Sequence, residues 1–577
     1  MKYIKLISLI GLFSILIISC SKKNNLGKMI PKEAAVIVDL NTKSLLSKLS
    51  WDEIKKTYWY NELMSDSTIP ATSKAFIDDL AKTGIDLKSD MVFFVLKSNN
   101  DGQAVLEGSL KDSKAFSDFL KSLHPNATIS KDGELNIFKT DKAVIGWNDE
   151  RFAFVANSDH RKLHGRDMLN DSTNNTVPLA PPPSDKLVSV CKNLFSLSND
   201  NSLYENEKFA KLAEEEGDAH FWLNINQLSK GSKQGMPGMA GMVKLDKFLE
   251  DNISTATINF QDGKVTANKK QYLGKELSDI LKKGDGNINT DMIKRLPSQN
   301  PAAVFSLHFT PGNLLEIIKL TGMDGFINLF MAQEGLSLDD IVRATKGDIL
   351  FALSDVTMKD DTVKMKDDTV NIKGSTKKDI VSNYYQKSDA TFLFAVAVGD
   401  KDAFNKLINL SKTMGKDMTQ KNTFSKSDDK YFAISNSQDA VNKYFSGTQI
   451  NSDFLSKIND HPMGGFIDLQ MILKVLQTQF TKDSIGKVYY DRNLAMWNNI
   501  YITGGEFKDG GLVFNSELNL VDKNTNSLKL LNKYIDDVSK VMIEEKKKNG
   551  QGWHTEINKS PADTVIKKNF KNNKLKK

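Results

Sequence analysis

The sequence predicts an α+β protein made by tandem duplication of one unit, each copy a curved, largely antiparallel sheet with helices on one face. Three observations carry that reading. Short β-branched or aromatic runs with partial alternation recur along the chain, among them "AAVIVDL", "MVFFVLK", "QAVLEGSL" and "RFAFVANS". Helical stretches fall between them without the regular alternation of a parallel βαβ array. Six segments of the first half are also answered, in the same order, by segments of the second.

The first matched pair runs from Ile30 to Leu49 and from Leu296 to Leu320. Each places a proline before an Ala-Ala strand, then a polar turn, then a helix with Leu-Leu. "GIDLKSDMVFFVLKS" is answered by "GLSLDDIVRATKGDILFALSD", and "SLKDSKAFSDFLKSL" by "AVGDKDAFNKLINLS". A long segment ending "ERFAFVANSD" meets the shorter "TFSKSDDKYFAISNSQD". "AHFWLNINQLSK" meets "GGFIDLQMILKV", and the "STATINFQDGKV" stretch meets "NIYITGGEFKDGGLVF". The units are therefore expected at 30–283 and 296–540. Residues 284–295 form the joint, and 541–577 a basic tail expected to be disordered.

The joint spaces Asp285, Asn287, Asn289 and Asp291 like a calcium loop. Thr290 stands where that loop needs glycine and Leu296 where it needs glutamate, so a linker with helix-capping residues is the expected role. "NNDG" marks a tight hairpin in the first unit. The equivalent hairpin in the second is opened by residues 356–390, which repeat MKDDTVK as MKDDTVN. Their Lys, Asp, Thr and Ser content predicts a disordered hairpin insert, and closure entropy tolerates its length. The first unit has its own insert from His164 to Lys186, ending in a proline run.

The N-terminus carries targeting information. Lys2 and Lys5 precede the apolar Leu6–Ile18, too short for an ordinary membrane span, and the stretch ends in "IISC". This resembles a bacterial lipobox. The resemblance implies cleavage after Ser19, a signal peptide over 1–19, lipid on Cys20 and a short linker over 20–29. With the only other cysteine, Cys191, in the apolar "KLVSVCKNLF", no disulfide is expected and Cys191 reads as a small buried hydrophobe.

The lipobox followed by "MIPKEAAVIVDLNTKSLLSKLSWDEIK", "DSKAFSDFL" and "FWLNINQL" resembles a Bacteroidota lipoprotein family catalogued as domain of unknown function 4836. The resemblance implies an envelope location and a fold. It supplies no activity and no site residues. Surface-export signals in such lipoproteins carry acids after the cysteine, whereas Lys22 and Lys23 follow Cys20 here, so the periplasmic face of the outer membrane is expected over the cell surface.

Composition excludes some functions. A net charge of +6 over 577 residues is not the clustered basic face of a nucleic-acid binder. P-loop, G-x-S-x-G, H-E-x-x-H and C-x-x-C motifs are missing, so no enzyme and no cofactor is expected. His160 and His164 lie at i, i+4, but two ligands make no zinc site. Met236, Met239 and Met242 stand in "GMPGMAGM", a loop suited to partner or membrane contact, with Cu(I) binding as an alternative. Asp-Ser/Thr-x triplets at Ser67, Ser172, Thr362, Thr369, Ser484 and Thr564 resemble the O-glycosylation sequon of Bacteroidota envelope proteins.

The reading that follows is a lipid-anchored, non-enzymatic binding or scaffold module, with outer-membrane lipid and an envelope protein or polysaccharide as partners. The alternatives are a hydrolase-like periplasmic enzyme with an unrecognised site and a copper-binding protein.

Overall fold

Two Asp-Gly turns organise the sheet. Asp262-Gly263 joins β9 (Ile253–Gln261) to β10 (Lys264–Tyr272), and Asp509-Gly510 joins β17 (Trp497–Lys508) to β18 (Gly511–Leu520). Gly263, Asp509 and Gly510 all take positive φ, which two-residue hairpin loops require and which glycine or aspartate tolerates. The two hairpins then pair with each other. β10 runs antiparallel to β18 without a register break, from Lys264 opposite Asn519 to Tyr272 opposite Gly511.

The computed structural model describes residues 27–548 except 67–70, 98–101, 124–127, 141–142, 159–183, 230–249, 285, 333–334, 365–381, 415–422, 448 and 482–483. Within them the first half supplies β1 (Ala34–Leu40), β2 (Met91–Lys97), β3 (Gly102–Ser109), β4 (Ile129–Asp132), β5 (Leu135–Lys139), β6 (Ala143–Trp147), β7 (Arg151–Ser158) and β8 (Ala219–Asn224) before the β9–β10 hairpin. The second supplies β11 (Ala303–His308), β12 (Thr345–Lys364), β13 (Ser382–Val398), β14 (Phe424–Ser427), β15 (Tyr431–Ser435) and β16 (Met463–Asp468) before β17–β18.

All the strand pairings among the described residues are antiparallel and join 18 strands in one sheet. β1 lies between β2 and β8, and β11 lies between β12 and β16. β3 continues from β2 to β7, as β13 continues from β12 to β15. β8 leads through β9 to β10, as β16 leads through β17 to β18. The second half thus repeats the pairing order of the first, and the α+β class predicted from the sequence holds.

Each half buries one sheet face under helices. Ile37, Phe94, Val105, Val155 and Trp222 alternate onto that face in the first half, against Leu187, Cys191 and Leu194 of the helix Ser184–Phe195 and Phe209 and Leu212 of the helix Glu207–Glu214. In the second half Val304, Leu350, Ala395 and Phe466 pack against Met292, Ile293, Tyr444 and Phe454. At about 25 cal/mol per Å² of apolar surface these faces carry most of the stabilisation. On the opposite face Phe93, Phe305 and Phe351 stay more than a third exposed. Among the described residues no helix is long and apolar enough to cross a membrane.

Four boundaries differ from expectation. The joint 284–295 is more than a linker with capping residues: it contains the helix Thr290–Lys294, which buries Met292 and Ile293, and Ile288, just before the N-cap, is buried in the same core as Ile293. Asn289 caps that helix by accepting from the Met292 N–H. The insert 356–390 is not wholly disordered. β12 runs to Lys364 and β13 starts at Ser382, so the hairpin continues as a two-stranded ribbon held by backbone pairing, which needs no apolar core. The tail does not begin at 541, since the helix Ser527–Lys548 continues past it and buries Ile543. The linker 20–29 ends in a packed residue, Met29.

Candidate functional site

A cleft of about 510 Å³ opens beside the end of β11, where the chain passes from the first half to the second. Two cross-strand pairs make its apolar floor. Leu307 lies opposite Met463, and Phe507 lies opposite Leu512. Phe514 stands on the same face as Leu512, two residues on, and Ile317 and Leu314 close the side from the helix Pro311–Leu320. Leu314 remains 37% exposed, an apolar side chain left at the mouth.

The cleft's polar groups are few and placed by the same elements. His308 ends β11 and faces Asp348 on β12, with Nδ1 2.7 Å from the Asp348 Oδ1. Gly286 packs against this imidazole. A Cβ there would lie 2.4 Å from His308 Nε2, and φ is +103°, so glycine is required on both counts. His461 is paired through Nδ1 with Glu506 across the β17 end. The backbone locks these parts together: His308 N–H donates to the Pro462 carbonyl at 2.7 Å, and Ile288 N–H to the His461 carbonyl at 2.8 Å.

Thr310 is the unusual member. It is the N-cap of the helix Pro311–Leu320, where a threonine hydroxyl ordinarily accepts from the first-turn N–H groups. Here it makes no cap bond, and Oγ1 is buried with no hydrogen-bond partner. A buried unpaired hydroxyl costs about 1–3 kcal/mol. Asn313, 8% exposed, is next to it on the wall. An apolar floor with one unsatisfied hydroxyl at its side suits a ligand that has a hydrocarbon body and one polar end.

A third imidazole lies in the first half. His220 Nδ1 is 2.9 Å from Asp39 Oδ2, and Nε2 is 2.9 Å from the Glu215 carbonyl. Two acceptors require two ring N–H groups, so the doubly protonated form fits this pocket. Burial lowers the His220 pKa, but the Asp39 carboxylate and the Glu215 carbonyl outweigh it and raise it. None of these His–acid pairs was legible in the sequence, since each joins residues 40 or more positions apart.

The residues singled out from the sequence are not brought together. Cys20, the Met236, Met239 and Met242 loop, the His160–His164 pair, Ser67, Ser172, Thr369 and Thr564 lie outside the described residues. Thr362 falls in β12, opposite Tyr384. Ser484 is exposed at the start of the helix Ser484–Met496. Asp291, part of the calcium-like spacing, accepts instead from Arg295 Nε at 2.9 Å and the Tyr431 hydroxyl at 2.8 Å. Among the described residues no group of three His, Cys, Asp or Glu side chains is arranged to hold a metal ion. Cys191 is fully buried, and burial pushes its thiol up to about 12, as a packing residue requires.

The family described as "Domain of unknown function (DUF4836)" matches residues 26–177, a stretch within the first half. No curated protein matches the chain. Two solved structures, "Structure of crystal form I of TP0453" and "Structure of crystal form IV of TP0453", are 10% identical to it. The first covers 43% of this chain and 78% of its own with a TM-score of 0.22, the second 45% and 86% with 0.23. Likeness at that level transfers no activity.

Proposed function

We propose that the chain is a non-enzymatic binding module of a bacterial envelope, which takes the apolar body of a small ligand into the cleft beside β11. The observation that carries this is the pairing of an apolar floor, Leu307–Met463 and Phe507–Leu512, with the buried, unpartnered Thr310 hydroxyl. Ligand burial would shield the floor, and the ligand's polar end would satisfy the hydroxyl.

The sequence supports the setting. Lipid on Cys20 would tether the module to the outer membrane, on its periplasmic face, with an envelope protein or polysaccharide as partner. The matching pairing order of the two halves, with the six matched segments, supports an origin by duplication. The Asp-Ser/Thr-x triplets support glycan attachment, which glycopeptide mass analysis of native protein would test at Thr362 and Ser484.

Displacement of a fluorescent apolar probe tests the binding reading. The purified chain should bind 1-anilinonaphthalene-8-sulfonate, and long-chain fatty acids or alcohols should displace it. Met463→Trp, which fills the floor, should weaken both by about tenfold. Probe binding that is indifferent to Met463→Trp would remove the cleft from the account.

A further inference from the structure

The first half holds a second cleft, of about 550 Å³, chemically unlike the first. Its depth is charged. Alternation along β3 turns Glu107 to the same buried face as Val105, in a row with Val92 on β2 and Ala153 on β7. Glu107 is only 8% exposed, lines the cleft, and has Oε2 buried without any hydrogen-bond partner. Asp90, just before β2, also lines the cleft, as do Lys88 and Glu150. Arg151, also on the wall, lies over the Phe195 ring at 5.5 Å. Lys28 lies over the Tyr204 ring at 5.2 Å.

We propose that this cleft binds a small molecule through a primary ammonium group, seated against Glu107 and Asp90, with an anionic or polar end toward Lys28 and Arg151. An ammonium offers three N–H donors from one compact centre, which suits an unpartnered carboxylate oxygen in a cleft that a second carboxylate also lines. A metal ion suits the site less, because among the described residues no three His, Cys, Asp or Glu side chains are arranged to hold one. The cationic side chains of the wall give the other end of the ligand its partner, so a zwitterion fits better than a plain amine.

The acids of the cleft are poised for that charge. Burial pushes the Glu107 carboxyl up to about 8, with Arg151 opposing and Asp39 adding to it. Burial likewise pushes Asp90 up to about 6, with the Asp39 charge adding. At neutral pH Glu107 is mainly protonated, and an arriving ammonium would favour its ionised form and expel the proton.

Calorimetry on the purified full chain tests this, with alanyl-alanine, O-phosphoethanolamine and glucosamine as probes and their N-acetyl forms as controls. At least one free amine should bind below about 1 mM, and its N-acetyl form at least tenfold more weakly. The preferred probe then separates a peptide end from a lipid headgroup or an amino sugar. At pH 7 binding should release protons, read as different heats in phosphate and Tris buffers. Glu107→Gln should weaken binding at least tenfold while melting no lower than the parent. Asp90→Asn, nearer the rim, should weaken it severalfold. Equal binding of amine and N-acetyl forms, unchanged binding in Glu107→Gln, no binding of any probe, or binding of calcium chloride alone would each overturn the proposal. Because the site is separate from the apolar cleft, displacement of the fluorescent probe there should not change in Glu107→Gln.

Discussion

Lys264 on β10 holds Glu517 on β18 at 2.8 Å, across the line where the two halves of the sheet meet. Lys457 reaches the other oxygen of the same carboxylate at 3.0 Å and lies over the Tyr501 ring at 4.4 Å. Burial raises the Glu517 pKa, but hydrogen bonds from Lys264, Asn519 and Lys457 outweigh it and hold the carboxyl at about 2. Backbone ladder bonds join the halves along nine residue pairs, and this cluster adds a charge lock to them.

The lock makes the seam acid-sensitive. A carboxyl depressed in the folded state contributes stability that is present above its unfolded value near 4.5 and lost as pH falls toward 2. With the side chain 24% exposed, solvent screening reduces the contribution to about 1–2 kcal/mol. Glu517→Gln should therefore lower stability by that amount at pH 7 and by little at pH 2.5, as read from urea unfolding. A constant difference across that range would show that the charge is not what matters.

The Asp39–His220 pair has the opposite sign. Its partners are 3% and 6% exposed, so removing one leaves the other charged and buried. Asp39→Ala should cost about 3–5 kcal/mol. Because the folded His220 pKa is raised, its contribution is fully present below the unfolded value near 6.5 and declines as pH rises through the folded value. Denaturant titrations of the parent and His220→Asn at pH 6 and pH 9 should show a smaller gap at pH 9. A wider gap at pH 9 would contradict the doubly protonated ring.

Some of this was legible in the sequence and some was not, for physical reasons. "QDGK" and "KDGG" mark the two Asp-Gly hairpins, because φ > 0 at each glycine, and at Asp509, selects those residues. The apolar alternation of β1, β2 and β11 gives their buried faces. The pairing of β10 with β18 leaves no such mark, since strand edges offer the same N–H and C=O groups whatever the side chains. Leu307 and Met463 meet from 156 positions apart, so neither residue announces a cleft. The paired ends of the 356–390 insert leave no mark either, because polarity argues only against a core and a ribbon needs none.

Cys191 and Gly146 test the packing of the first core. A Cβ on Gly146 would lie 2.4 Å from Cys191 Sγ, so the glycine makes room for the thiol against β6. Gly146→Ala should cost about 1–3 kcal/mol through overpacking. Gly146→Ala combined with Cys191→Ala should recover part of that loss, because the shorter side chain frees the space. Strictly additive losses in the double variant would rule the contact out. The native thiol should also resist dithionitrobenzoate until the protein unfolds, since it is fully buried and held protonated at neutral pH.

The C-terminal helix Ser527–Lys548 belongs to the second half in sequence but ties down the first. Asp536 Oδ1 accepts from the Tyr58 and Trp59 N–H groups at 2.5 and 3.2 Å. These are the first two residues of the helix Tyr58–Ser65, whose N-cap Thr57 satisfies only the Tyr60 N–H. Two donors that helix geometry leaves without partners are thus met by a carboxylate 478 positions away, at the end where the helix dipole favours negative charge. Lys529–Glu53 and Lys547–Glu62, each at 2.7 Å, flank the contact, but pairs whose lysine stands in solvent contribute little singly. Asp536→Ala should therefore cost about 1–2 kcal/mol, and Asp536→Asn less, because the amide keeps an acceptor and loses the charge. Lys529→Ala and Lys547→Ala should each stay within about 0.5 kcal/mol. Hydrogen exchange supplies the local readout: the Tyr58 and Trp59 amides should exchange faster in Asp536→Ala, while amides along β10 and β18 change only as far as global stability falls. Unchanged protection at Tyr58 and Trp59 would mean that the capping role assigned to Asp536 is wrong.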